Sequence, residues 1–436
     1  MALAGRVLVA AAFVVWFAQP VGILAVVGLA YVLACAGSVC LIAARGGWMT
    51  PGVAVAFVAT LLVGTGASLR GLAQAAPGAA YELVFYVVLP LVWVLIVLAL
   101  DLPTVRIVID LIPIVTFAVV VIGLGYWLYA RGMSAMVWAS WIPLGQGLGG
   151  SDYGLQMRFY PISTLLFVLP CLFWTSLEPR VHRWRISRWL APAALLLGLA
   201  FMFVAGRRAL FLSTGVAILA GLVTLLLQPR FRGALARRIA MAFGGGAVVM
   251  VVFAQITGFD VGALVNSIVG DASSDDDVRA VSMRALIDSW ARAPFFGQGL
   301  GTEVIGSVRN EERPWEFEVQ YHLGLHAFGL FGFVVLAAAT CFVLLALVRM
   351  ARDSRSPFAL PVLSGAVAAL VANATNPYLH TPGHYWMLFL AVALVNAVRR
   401  EESAALRPRV RFELRRLRLG GVRQGHPMSP LRRPSR

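Results

Sequence analysis

Long apolar runs follow one another along most of this chain, separated by short joints rich in Arg, Gly and Pro. An apolar run of about 18 or more residues reads as a membrane-crossing helix, because roughly 20 helical residues span the hydrocarbon core. The pattern predicts about twelve spans, at 3–19, 22–43, 51–67, 80–100, 107–129, 159–177, 189–205, 209–227, 239–257, 321–348, 359–373 and 384–398. The expected fold class is all-α: a polytopic membrane helix bundle with a large external loop containing short helices. Residues 1–398 form one bundle, since no linker divides the apolar segments. Residues 399–436 form an Arg- and Pro-rich tail, expected to be disordered or to lie along the membrane surface.

One polar stretch breaks the pattern. Segment 258–320 holds 11 of the chain's 20 acidic residues, together with the turn-rich run Pro294-Phe-Phe-Gly297-Gln-Gly299-Leu-Gly301. Within it, Val278–Arg292 is weakly amphipathic and predicts a helix. A charged loop of this length is unexpected where 60% of the residues are hydrophobic and 13% charged. Soluble domains carry about 25% charged residues. A mean hydropathy of +0.83 agrees with an integral membrane protein. Met1–Phe17 lacks a convincing cleavage site and reads as the first helix.

The net charge of +16 raises nucleic-acid binding, but the placement of the charge argues against it. All 36 basic residues are Arg, gathered at the ends of apolar spans and in the tail. With alternating spans, 26 fall on one side and 10 on the other. The Arg-rich side is then cytoplasmic, with both termini on it, and the long loop lies outside the cytoplasm. Cys35, Cys40, Cys171 and Cys341 lie inside apolar spans and read as small buried hydrophobes.

Candidate chemistry concentrates on the external side. Arg207 and Arg208 sit at a tight turn between two spans; they either snorkel to the interface or offer bidentate forks to a phosphate. Arg279 and Arg284 either pair with Asp275–Asp277 or contact a ligand. Arg158 is a lesser candidate of the same kind. Glu318, His322 and His326 recur at helical spacing, as one stripe running from the membrane surface inward. Glu318 reads either as a helix N-terminal carboxylate or as a general base; the histidines read as packing groups or as part of the site. The Gly-rich runs 145–149 and 297–301 lack the context of a nucleotide loop and read as flexible turns, or as backbone approaching a phosphate or sugar. His380 and His384 have metal-ligand spacing, but Pro382 and Gly383 break the helix such a pair needs. Asp110 and Arg106 read as a structural ion pair. External arginines beside one carboxylate suit a lipid-linked diphosphate. The arginines stabilise the leaving diphosphate and the carboxylate takes a hydroxyl proton, without a metal.

In order and spacing, Arg279, Pro294, Gly297, Gly299, Gly301, Glu318, Tyr321, Gly329, Leu330 and Gly332 resemble the motif of the O-antigen ligase and polymerase superfamily. Gly206-Arg207-Arg208-Ala209 is similar to a turn of that family, with Arg207 favoured as the matching Arg. The resemblance covers roughly 160–340. It implies an enzyme of the bacterial inner membrane, acting at the periplasmic face without metal or cofactor. Glu318 and Arg279 are implied as catalytic, with Arg207, Arg208, Arg284, Arg158, Tyr321 and His322 contacting substrate. Ligases of the family carry His-Asn where this chain has Glu318-Val319. Glu here, with Asn376-Pro-Tyr-Leu379, points to the Wzy-type polysaccharide polymerases. Those transfer a growing glycan from undecaprenyl diphosphate to a sugar hydroxyl of another lipid-linked repeat unit, and membrane lipids and a chain-length regulator are the implied partners. A ligase to lipid A–core and a lipid-linked glycan flippase are the rival readings.

Overall fold

A computed structural model describes residues 1–21, 24–134, 136–142, 145, 147–151, 154–178, 181–205, 207–226, 244, 255, 274–304, 312–374 and 376–420. The expected span 239–257 therefore lies outside the described residues except at 244 and 255, as do 258–273 and 305–311 of the long loop.

The described chain is helical apart from one short antiparallel hairpin, β1 (147–151) with β2 (154–158), in which Gly147 pairs with Arg158. In order the helices are α1 (Ala2–Ala18), α2 (Leu24–Arg45), α3 (Pro51–Ala73), α4 (Ala79–Leu83), α5 (Leu89–Ala99), α6 (Leu102–Ala130) and α7 (Leu165–Leu177). They continue as α8 (Arg185–Ala205), α9 (Arg208–Leu226), α10 (Ser274–Ala291), α11 (Gln320–Arg352), α12 (Ala359–Asn373) and α13 (Tyr385–Gly420). A π turn, Val84–Val88, joins α4 to α5 into one continuous rod. Among the described residues, seven helices are long and apolar enough to cross a membrane, counting the α4–α5 rod as one. α1, α7 and α12 are apolar but shorter. α13 carries its backbone helix past residue 398, to Gly420, and 421–436 lie outside the described residues.

Local chemistry explains several boundaries. Thr50 caps α3 with Pro51 in its first turn, and the Thr50 side chain accepts from Val53 N. Asp101 caps α6 by accepting from Thr104 N at 2.9 Å. The same carboxylate accepts from Arg6 at 3.0 Å and from Arg45, drawing three helix ends together. Burial raises the Asp101 carboxyl, but the bonds from Thr104 and Arg6 outweigh it and hold it below its ordinary value of 3.8. Arg400 reaches the carbonyls of Arg45 and Gly46 nearby. One end of the bundle is thus a lattice of arginines.

The core is one large cluster with α7 at its centre, packed by α8, α9 and α12. All but one of the α7 residues are buried, as a helix apolar on every face requires. Trp386 of α13 meets Phe13 and Phe17 of α1 and Phe167 of α7. The expected Arg106–Asp110 ion pair does not form. Asp110 is buried and faces His182 Nδ1 at 3.3 Å while accepting from the Arg183 amide at 3.0 Å; the Arg106 guanidinium lies over the Phe358 ring. Satisfying a buried carboxylate with a nearby amide and imidazole removes the need for the longer arginine.

α11 is broken at Gly329, whose φ of 65° and ψ of −177° leave the helix. An unbroken helix would bond His326 O to Leu330 N and Ala327 O to Phe331 N. The run 294–301 inserts there instead. Gln298 N donates to His326 O (2.8 Å), Gly299 N to Ala327 O (3.1 Å), Leu330 N to Pro294 O (2.8 Å) and Phe331 N to Phe295 O (3.0 Å). Leu300 N continues the contact to Ala67 O of α3 at 3.0 Å. Gly297, with φ 69°, lies so close that a Cβ would collide with the Ala327 carbonyl and the Gly329 amide. The run is therefore neither a flexible turn nor a phosphate cradle. It is a backbone plug that satisfies a broken helix, as non-helical chain at membrane depth requires. The other Gly-Gln-Gly-Leu-Gly copy differs, since 147–149 belong to β1.

Candidate functional site

The joints opposite the arginine lattice converge. Pro20 after α1, Tyr81 of α4, Arg313 and Glu316 before α11, Gln320 at its start, and Pro377 and His380 before α13 help line one cavity of about 330 Å³. Beside it lie the residues singled out from the sequence.

α10 forms much as its pattern predicts, and Leu286 docks it onto Phe317 and Val319 just before α11. That packing brings Arg279 to Glu318: Arg279 Nε donates to Glu318 Oε2 at 2.7 Å, with both side chains partly buried. Arg279 is thus paired with Glu318, while the side chains of Asp275–Asp277 lie outside the described residues. Tyr378, in the joint before α13, senses the same group. Burial pushes its phenol above the ordinary value of 10; Arg207 opposes that, Glu318 adds to it and Arg279 opposes it. Arg207, Arg279, Glu318 and Tyr378 therefore share one electrostatic neighbourhood, though 378 and 207 stand far apart in sequence.

The expected stripe of Glu318, His322 and His326 does not form. α11 begins only at Gln320 with Val319 as its cap, so Glu318 sits outside the helix. His326 is buried and pairs with Thr302 Oγ1 at 2.9 Å, which makes it a packing group. His322 is half-buried on the first turn of α11. Tyr321 donates to Leu370 O at 2.6 Å, tying α11 to α12. Arg284 is exposed on α10, five residues on from Arg279, and Arg207 is exposed just before α9. Arg158 lies in β2 and Arg208 opens α9; their side chains lie outside the described residues.

The joint 374–384 is pinned from several sides. Asn373 Oδ1 accepts from Leu379 N at 2.9 Å, and Tyr31 donates to Pro382 O at 2.8 Å. His384 Nδ1 faces Tyr378 O at 2.9 Å and its Nε2 faces Ser163 Oγ at 2.6 Å. The carbonyl can only accept, so Nδ1 carries the proton and Nε2 accepts from Ser163. His380 turns elsewhere: its Nε2 meets Glu82 Oε2 at 2.7 Å, both residues buried. The two histidines thus face different partners. Among the described residues no group of three or more His, Cys, Asp or Glu gathers as a metal site would.

Glu82 and Ser163 escaped the sequence reading, and Tyr378 entered it only within Asn376-Pro-Tyr-Leu379. Glu82 carried a usable signal, being a single carboxylate at the head of an apolar span. Its partner His380 stands 298 residues away, and no local pattern reveals that pairing. An apolar crevice of about 470 Å³ adjoins the site through Gln320 and Tyr321, with Phe57, Tyr86, Phe328 and Phe389 in its walls. No family model matches the chain, and no curated protein matches it significantly.

Proposed function

We propose that this chain is a membrane glycosyltransferase that polymerises lipid-linked glycan repeat units. The observation that carries the reading is the Arg279–Glu318 pair, set with Arg207 and Tyr378 at one end of an apolar bundle. Guanidinium groups beside a carboxylate provide what transfer from a glycosyl diphosphate requires. Arg279 and Arg207 hold the diphosphate and offset the charge that grows as the sugar–oxygen bond to phosphate breaks. Glu318 takes the proton of the acceptor hydroxyl while that oxygen bonds to the anomeric carbon. The diphosphate leaves on its polyprenyl carrier. A guanidinium has five donors, enough to serve a carboxylate and a phosphate together. The apolar crevice beside Tyr321 suits the carrier chain.

In this reading the site faces the periplasm from a bacterial inner membrane, both termini are cytoplasmic, and the lattice of arginines marks the cytoplasmic end. Arg208, Arg284, Arg158 and His322 are further substrate contacts, and a chain-length regulator is a partner. The reaction needs neither metal nor cofactor. The test is in vivo and in vitro together. Deleting the gene in its native host leaves single repeat units if the chain is a polymerase and carrier-linked long chains if it is a ligase. The purified protein in nanodiscs lengthens lipid-linked repeat units, or the proposal falls. Lipid-linked glycan crossing vesicles without lengthening establishes the flippase instead.

A further inference from the structure

We infer that the cavity lined by Tyr81, Arg313, Glu316, Gln320 and His380 is a sugar-binding subsite that seats the acceptor end of the glycan, an inference that rests on the transferase reading. Its volume of about 330 Å³ is at the lower end of small-molecule sites, the scale of sugar rings rather than of a lipid chain. The charges in and behind its wall are matched. Arg313 Nη1 donates to Glu316 Oε1 at 2.9 Å and to the Tyr81 hydroxyl at 3.1 Å, and the cavity-lining His380 is backed by Glu82. A wall of balanced pairs favours neither cation nor anion. A phosphate would meet Glu316, and an alkyl chain would strip water from the polar side chains of this wall without replacing it. Neutral hydroxyls are the partner that carboxylate, guanidinium, amide and imidazole can all bond at once.

The aromatic groups agree. Tyr81 is tilted by 57° from Trp315 with ring centroids 6.4 Å apart, and the Arg313 guanidinium lies over the Tyr81 ring at 5.1 Å. Of the two rings Tyr81 lines the cavity, where an aromatic group beside polar neighbours suits a pyranose. His380 Nε2 donates to the Glu82 carboxylate, which leaves Nδ1 for a hydroxyl, a partner that can both donate and accept. The subsite adjoins the proposed centre along the chain. Glu316 and Gln320 flank Glu318 along the chain, and His380 follows Tyr378 by two residues. In this proposal a sugar held between these two segments offers its acceptor hydroxyl to Glu318.

The test uses full-length protein in nanodiscs and two readouts. The first is saturation-transfer NMR with glucose, galactose, mannose and N-acetylglucosamine; the second is steady-state transfer with donor and acceptor varied separately. Wild type should saturate at least one of the sugars. Glu316→Gln and Tyr81→Leu should remove that signal and raise the acceptor KM at least about tenfold, with the donor KM held within about twofold. Glu316→Gln changes one partly exposed group, so it reports even where Tyr81→Leu fails to fold. Absence of saturation from all four sugars overturns the subsite, as does an acceptor KM unmoved by Glu316→Gln. Sugar binding that the variants abolish, in a protein with no transfer activity, upholds the subsite and overturns the transferase reading.

Discussion

Replacing Glu318 with Gln separates two roles that the site geometry joins. The glutamine keeps the side chain's length and an oxygen to accept from Arg279 Nε, which now sits 2.7 Å from the carboxylate. It loses the negative charge and the ability to take a proton. If Glu318 only anchored Arg279, the loss would be the charge assistance of a partly exposed pair. Such pairs contribute up to about 1 kcal/mol, roughly a fivefold effect on rate. If Glu318 is the base, the loss is that of general base catalysis, about 10²- to 10⁴-fold, or about 3 to 5 kcal/mol in the barrier. The two ranges do not overlap. The assay is single-turnover transfer in nanodiscs with saturating donor, with chain length read by mass spectrometry and folding checked by thermal unfolding. A folded Glu318→Gln protein that keeps more than a tenth of the wild-type rate refutes the base assignment.

Arg279→Lys should keep the charge but lose the fork, raising the donor KM about 10- to 100-fold while the protein still inserts and folds. Gly297→Ala should destabilise by about 2 to 5 kcal/mol in thermal unfolding, since it combines a positive φ with a backbone collision; an unchanged midpoint would remove the plug from the account. Ser163→Ala leaves the Nε2 of buried His384 without its hydroxyl and should cost about 1 to 3 kcal/mol by the same measurement. Asp101 has a folded-state value below its unfolded one, so its contribution is complete above about pH 4 and is lost as pH falls through the lowered value. Acid unfolding of Asp101→Asn should therefore lack that low-pH loss, and identical acid profiles would contradict it.

Apolar run length made the helices legible. It located α2, α8, α9 and α11 to within about four residues at either end, because a membrane-crossing helix needs a minimum apolar length. The Arg279–Glu318 contact was approachable, since motif order placed both residues on the list, though pairing with the neighbouring aspartates was equally open. What sequence could not supply was how distant joints meet. Glu82 with His380, and Ser163 with His384, are contacts of tertiary packing. The 318–322–326 stripe failed for a local reason: helical spacing was extended through Glu318 and Val319, where the chain has not yet become helix. The Arg106–Asp110 pairing failed because a backbone amide from another segment satisfied the carboxylate first.

The plug at the break in α11 also has a meaning for how this chain can change. Each of four hydrogen bonds matches one backbone group in 294–299 with one in 326–331, like teeth in a key. A single residue inserted between Pro294 and Leu300 would displace the later teeth against the earlier ones, whereas one inserted before α10 would leave them engaged. The long polar segment is therefore indexed by backbone at this run, beside the side-chain contacts of Arg279 with Glu318 and of Leu286 with Phe317. Its length is open to revision upstream, while the interval from Pro294 to Phe331 holds the two arms of α11, and with them Glu318, in a fixed register against α3.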